Sequence, residues 1–77
     1  MQDFNAAETA YRELLELDPG ASAARNNLAL ALLEQGEYDA AMEEIEFALS
    51  DDPDQALEQE FRDTAATIRR HRAGAED

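Results

Sequence analysis

The sequence predicts an all-α protein, an antiparallel array of about four helices built from helix–turn–helix units, and three observations predict it. Residues 4–19, FNAAETAYRELLELDP, lie over residues 38–53, YDAAMEEIEFALSDDP, at an offset of 34. Phe4 falls on Tyr38, Ala6 and Ala7 on Ala40 and Ala41, Tyr11 on Ile45, Leu14 and Leu15 on Ala48 and Leu49, and Pro19 on Pro53. An internal period of this length marks a repeat architecture. Within each stretch the apolar residues recur at helical spacing, and glycine or proline stands where the pattern breaks.

The elements follow in order. Residues 3–17 form the first helix, ending before Asp18-Pro19-Gly20. Residues 22–35 form the second, with Ala24, Leu28, Ala31, Leu32 and Gln35 along one face and Gly36 at the C-terminal glycine position. Residues 38–50 form the third, where Ala41, Ile45, Ala48 and Leu49 make an i, i+4, i+7, i+8 stripe and Glu43, Glu44 and Glu46 point to water. Asp52 as cap, with Gln55 three residues on, and Pro53 in a first turn start the fourth helix, 54–72. Its stripe is Leu57, Phe61, Thr64, Ala65 and Ile68, and its opposite face carries Glu58, Arg62, Arg69 and Arg70. Residues 1–73 make a single domain, and 74–77 read as a disordered tail.

Composition narrows the function. The 77 residues include 19 Asp and Glu against 6 Lys and Arg, a net charge of -13. That charge opposes binding to nucleic acid or to an anionic membrane. All six basic residues are arginine, and cysteine is absent. Disulfides and thiolate metal sites are therefore excluded. No segment has the ~20 continuous apolar residues of a membrane span, so the chain reads as cytoplasmic. A lysine-free, acid-rich surface suits a cytoplasm of high salt, as in a halophile; a GC-rich genome gives the same bias.

At residues 22–55 the chain resembles one complete tetratricopeptide repeat, the 34-residue helix-turn-helix unit. Ala24, Leu28, Ala29 and Leu32 stand at the key positions of the family's first helix, and Gly36, Tyr38, Ala41, Ile45, Ala48 and Pro53 match the turn and second helix. One departure is clear: the tryptophan-like position falls at Ala24 or Arg25. Residues 1–19 resemble the second half of a preceding repeat, and the fourth helix resembles a divergent capping helix of an array or, as the alternative, a third repeat that starts two residues late. The resemblance implies protein–protein interaction without chemistry, through a concave face lined by the first helices of successive repeats. Carried over residue by residue, Ala23, Asn26, Asn27, Leu30, Leu33 and Glu34 face or border that groove, which would take a protein or peptide partner. Asn27 stands where carboxylate-clamping members carry an amide, but Leu57 and Phe61 occupy the places of the basic partners, so no clamp is expected.

No catalytic constellation competes with this reading. No Ser or Cys nucleophile lies in an elbow, no Gly-rich phosphate loop is present, and the single His71 sits among arginines at a helix C-terminus. No cofactor or metal is implied; Pro53 breaks the oxygen-ligand spacing that calcium would need in SDDPD. The C-terminal arginines complement the helix dipole, or dock an acidic partner or another copy's acidic face. The first unit begins at its turn, so Phe4, Tyr11, Leu14 and Leu15 form an edge. That edge leaves two alternatives to the groove: a homodimer that pairs it, or a segment of a longer repeat scaffold that continues past it.

Overall fold

The computed structural model describes residues 4–51 and 53–76. Four helices run in series: α1 (Phe4–Leu17), α2 (Ser22–Glu34), α3 (Tyr38–Ser50) and α4 (Gln55–Glu76). Sequential helices pack together, α1 on α2, α2 on α3 and α3 on α4, and α2 also touches α4. Among the described residues α1 packs on α2 alone. This is the all-α helix-turn-helix array the 34-residue period predicts.

Each link has a local cause. After α1, Asp18 accepts from the Gly20 amide through its side chain (3.2 Å) and from the Ala21 amide through its carbonyl (3.0 Å). Pro19 thus occupies the second place of a β-turn held by an Asx-type bond. After α2, the Gly36 amide bonds the Leu33 carbonyl (3.0 Å) and the Glu37 amide bonds the Leu32 carbonyl (2.9 Å). This pair of bonds is the Schellman termination, and it places Gly36 at φ +79°. A Cβ at Gly36 would meet nothing within 4 Å, so the backbone angle alone demands glycine. Gly36→Ala is accordingly expected to lower stability by about 1–2 kcal/mol, with the helix pairing kept; urea denaturation against the parent chain measures it.

The start of α4 differs from the sequence expectation. Asp52 lies outside the described residues. The capping side chain is Asp54, whose Oδ1 accepts from the Leu57 amide at 3.0 Å. Pro53 therefore stands just before the cap rather than in the first turn, and α4 begins at Gln55. At the other end α4 continues to Glu76, through residues that read as a tail. Ala73 and Ala75 are strong helix formers, and Gly74, which is not in the left-handed conformation that ends helices, weakens the turn without stopping it.

The core gathers Leu28, Ala29, Leu32 and Leu33 from α2, Ala41, Met42, Ile45 and Ala48 from α3, and Phe61, Ala65 and Ile68 from α4. Tyr11 and Leu15 of α1 pack half-buried against it. Ala29 and Ala41 are wholly buried, in the core where α2 packs on α3. Thr64 joins Phe61, Ala65 and Ile68 below the surface, and its hydroxyl donates to the Glu60 carbonyl at 3.1 Å. The inward stripe of α4 thus repeats that of α2 two residues later than a strict period of 34.

Candidate interaction surface

The six residues assigned to the groove divide between surface and interior. Ala23, Asn27, Leu30 and Glu34 are exposed and follow i, i+4, i+7, i+11 spacing, one strip along α2. Leu30 is its apolar centre, 38% exposed. Asn26 and Leu33 do not belong to the strip: both are buried, Leu33 within the core. They sit about 40–60° around the helix from Leu30, on the shoulder that turns inward, and periodicity alone does not separate the two sides. Asn26 Oδ1 is buried without a hydrogen-bond partner. Of the two α4 residues at the clamp positions, Leu57 is half-buried and Phe61 is wholly buried in the core. Phe61 cannot face a groove.

The edge residues also separate. Tyr11 and Leu15 are half-buried against the core, whereas Leu14 is 45% exposed. The backbone of Phe4 is helical, and its side chain lies outside the description. Leu17, absent from the predicted edge, is 86% exposed and extends it beyond Leu14. Its spacing from Leu14, three residues, was the available signal.

Polar links hold the helices in register on the side away from the groove. Arg25 donates to Glu44 of α3 at 3.1 Å and to the Pro19 carbonyl at 3.2 Å, and its guanidinium lies 4.0 Å from the centre of the Phe47 ring. Of the two candidates for the tryptophan-like position, Ala24 is buried and Arg25 makes a cation–π contact. Arg25 and Glu44, together with Arg12, Leu15, Glu16 and Leu28, border a shallow cleft between α1 and α3. At the far end Arg72 reaches Asp39 at 3.2 Å, tying the end of α4 to the start of α3.

Glu8 joins α1 to the end of α2. Its carboxylate accepts from the Gln35 amide at 3.0 Å and from Arg12 at 3.0 Å. The Gln35 bond first, and the Arg12 guanidinium second, hold this carboxyl below its ordinary value. A lowered folded-state pKa means that the folded chain favours the charged form more than the unfolded chain does. The link therefore adds stability above the ordinary value of 4.5, and this is lost as pH falls through the lowered value. Glu8→Gln is expected to remove at most about 1 kcal/mol at neutral pH, the scale of an exposed ion pair. Its difference from the parent chain should vanish at acid pH; denaturant melts along a pH series test this.

Among the described residues no group of three His, Cys, Asp or Glu is placed to hold a metal ion. None of the helices is long and apolar enough to cross a membrane, again among the described residues.

The fold and its surface define a helical-repeat protein: short antiparallel helices, a Schellman turn between members of a pair, and small residues at the crossings. The family model of the tetratricopeptide repeat matches residues 1–56, and the chain belongs to that family. Neither a curated protein nor a solved structure matches it. Repeats of this family generally mediate protein–protein interaction and are typically non-catalytic.

Proposed function

We propose that the chain is a non-catalytic interaction module whose α2 strip, continued toward α4, receives an extended or helical peptide segment of a partner protein. The observation that carries this reading is the strip Ala23, Asn27, Leu30 and Glu34. It offers one apolar anchor flanked by an amide and a carboxylate, on the helix whose opposite side is locked into the core. Such a surface binds by burying an apolar side chain and satisfying backbone groups at its rim. Peptides selected from a random display library against the folded chain test it. Leu30→Asp should weaken them at least tenfold, about 1.4 kcal/mol, with the helical spectrum unchanged. Peptides that bind the substituted chain equally well would place the contact elsewhere. The cytoplasmic, high-salt setting belongs to the same proposal and is supported by the charge composition.

A second reading, self-association through the α1 edge, is favoured by the exposure of Leu14 and Leu17.

A further inference from the structure

The two terminal helices present unlike outer faces. On α1, Ala10, Glu13, Leu14 and Leu17 are all exposed and follow i, i+3, i+4, i+7 spacing, a ridge with two leucines and an acid, flanked by Glu16. On α4, Arg62, Ala66, Arg69, Arg70 and Ala73 are exposed at i, i+4, i+7, i+8, i+11, directed away from Phe61 and Ile68. Charge along the chain is just as uneven. Residues 1–61 hold sixteen acids and two arginines, whereas residues 62–75 hold four arginines and one acid.

We infer that copies of this chain associate head to tail, the outer face of α1 of one copy lying on the arginine stripe of α4 of the next. The inference rests on the self-association reading and names the surface that the edge meets. The leucines of α1 would lie over Ala66 and Ala73, whose small side chains let two helix backbones approach. The arginine stems flanking those alanines would cover the rest of the leucine surface while their heads reach Glu13 and Glu16. Arg62 gives one nitrogen to Glu58 and Arg70 one to the Thr67 hydroxyl. A guanidinium has five N–H donors, so both retain donors for an incoming carboxylate. Two α1 faces set against each other would instead bring Glu13 and Glu16 against their own copies, a like-charge contact. The net charge of -13 on each copy opposes approach. The Debye length is about 8 Å at physiological ionic strength and about 3 Å at 1 M, so across that range salt screens the distant like charges more than the close opposite charges at the contact. Unlike faces on one molecule generate open growth rather than a closed dimer.

Sedimentation of the full chain over a range of concentrations at physiological salt tests the inference. One variant, Leu14→Ser with Leu17→Ser, blunts the α1 face. Another, Arg62→Gln with Arg69→Gln and Arg70→Gln, blunts the α4 face. Circular dichroism confirms that both keep their helices, as exposed substitutions should. The parent chain is expected to grow past dimer with concentration, and each variant alone to remain monomeric. An equal mixture should form a species of two chains and no larger, since one live α1 face meets one live α4 face and both ends are then blocked. If the glutamine variant associates like the parent, the contact joins two α1 edges and the head-to-tail arrangement is overturned while self-association stands. A parent chain that is monomeric at every concentration overturns both. A monomer that binds a polyglutamate peptide through the arginines overturns them in favour of an acidic partner.

Discussion

A chain ending at Asp54, without α4, is expected not to fold. α4 supplies Phe61, Ala65 and Ile68 to the core, and each is no more than 2% exposed. Burial of the Phe and Ile side chains alone contributes about 3–6 kcal/mol, from roughly 1.5–3 kcal/mol each. Domains hold about 0.05–0.15 kcal/mol per residue, which for 77 residues is about 4–12 kcal/mol. Removing α4 also uncovers the sides of α2 and α3 that it packs upon, so the loss exceeds the contribution of its own side chains. Far-UV circular dichroism of the truncated chain should show weak helicity and a melt without cooperativity. Phe61→Leu in the full chain is the matched control: it keeps an apolar side chain of nearly the same size, and it should melt cooperatively. A truncated chain that still unfolds in one sharp transition would make α4 an accessory, and α1 to α3 a self-sufficient core.

α4 also marks where the sequence was legible and where it was not. Its inward stripe, Phe61, Thr64, Ala65 and Ile68, is plain in the apolar periodicity, because burial selects for a face and a face repeats every 3.6 residues. Its ends are less so. Around residue 52 three carboxylates compete to cap, and composition does not rank them; the structure does, by the reach of Asp54 to the Leu57 amide. Past Arg72 the segment Ala-Gly-Ala contains one weak helix former between two strong ones, and a single glycine becomes a stop only when the chain turns there.

The surface was harder to read than the interior for a related reason. A helical position near the rim of the buried face changes environment with a rotation of a few tens of degrees. Asn26 and Leu33 lie at that rim, and the crossing of α2 with its neighbours buries both. Contacts between residues far apart in sequence leave no periodic trace. The stacking of Arg25 on Phe47 spans two helices, and the sequence showed only that an aromatic residue was missing at Ala24 or Arg25.

Ile45 and Phe47 stand two residues apart on α3, and their truncation to alanine should have very unequal consequences. Phe47 is the larger side chain, but it is 52% exposed, and its ring faces the Arg25 guanidinium. An exposed cation–π contact is worth about 0.5–1 kcal/mol, so Phe47→Ala should lower the melting temperature by a few degrees. Ile45 is 0% exposed at the centre of the α3 face and belongs to the core that also holds Leu28 and Phe61. Ile45→Ala removes a buried side chain and leaves a cavity, at a cost of about 2–5 kcal/mol. For a domain of this size each kcal/mol is worth roughly 4–8 °C, so the expected fall is at least about 8 °C. Ile45→Val should lie between, at about 0.5–1.5 kcal/mol. Thermal melts of the three variants check the order. If Phe47→Ala proved the more damaging, the ring would have to be buried, either by a rearranged α3 or by a second chain, and the same melts repeated over a range of concentrations would separate the two: only burial by another chain makes the melting temperature depend on how much protein is present.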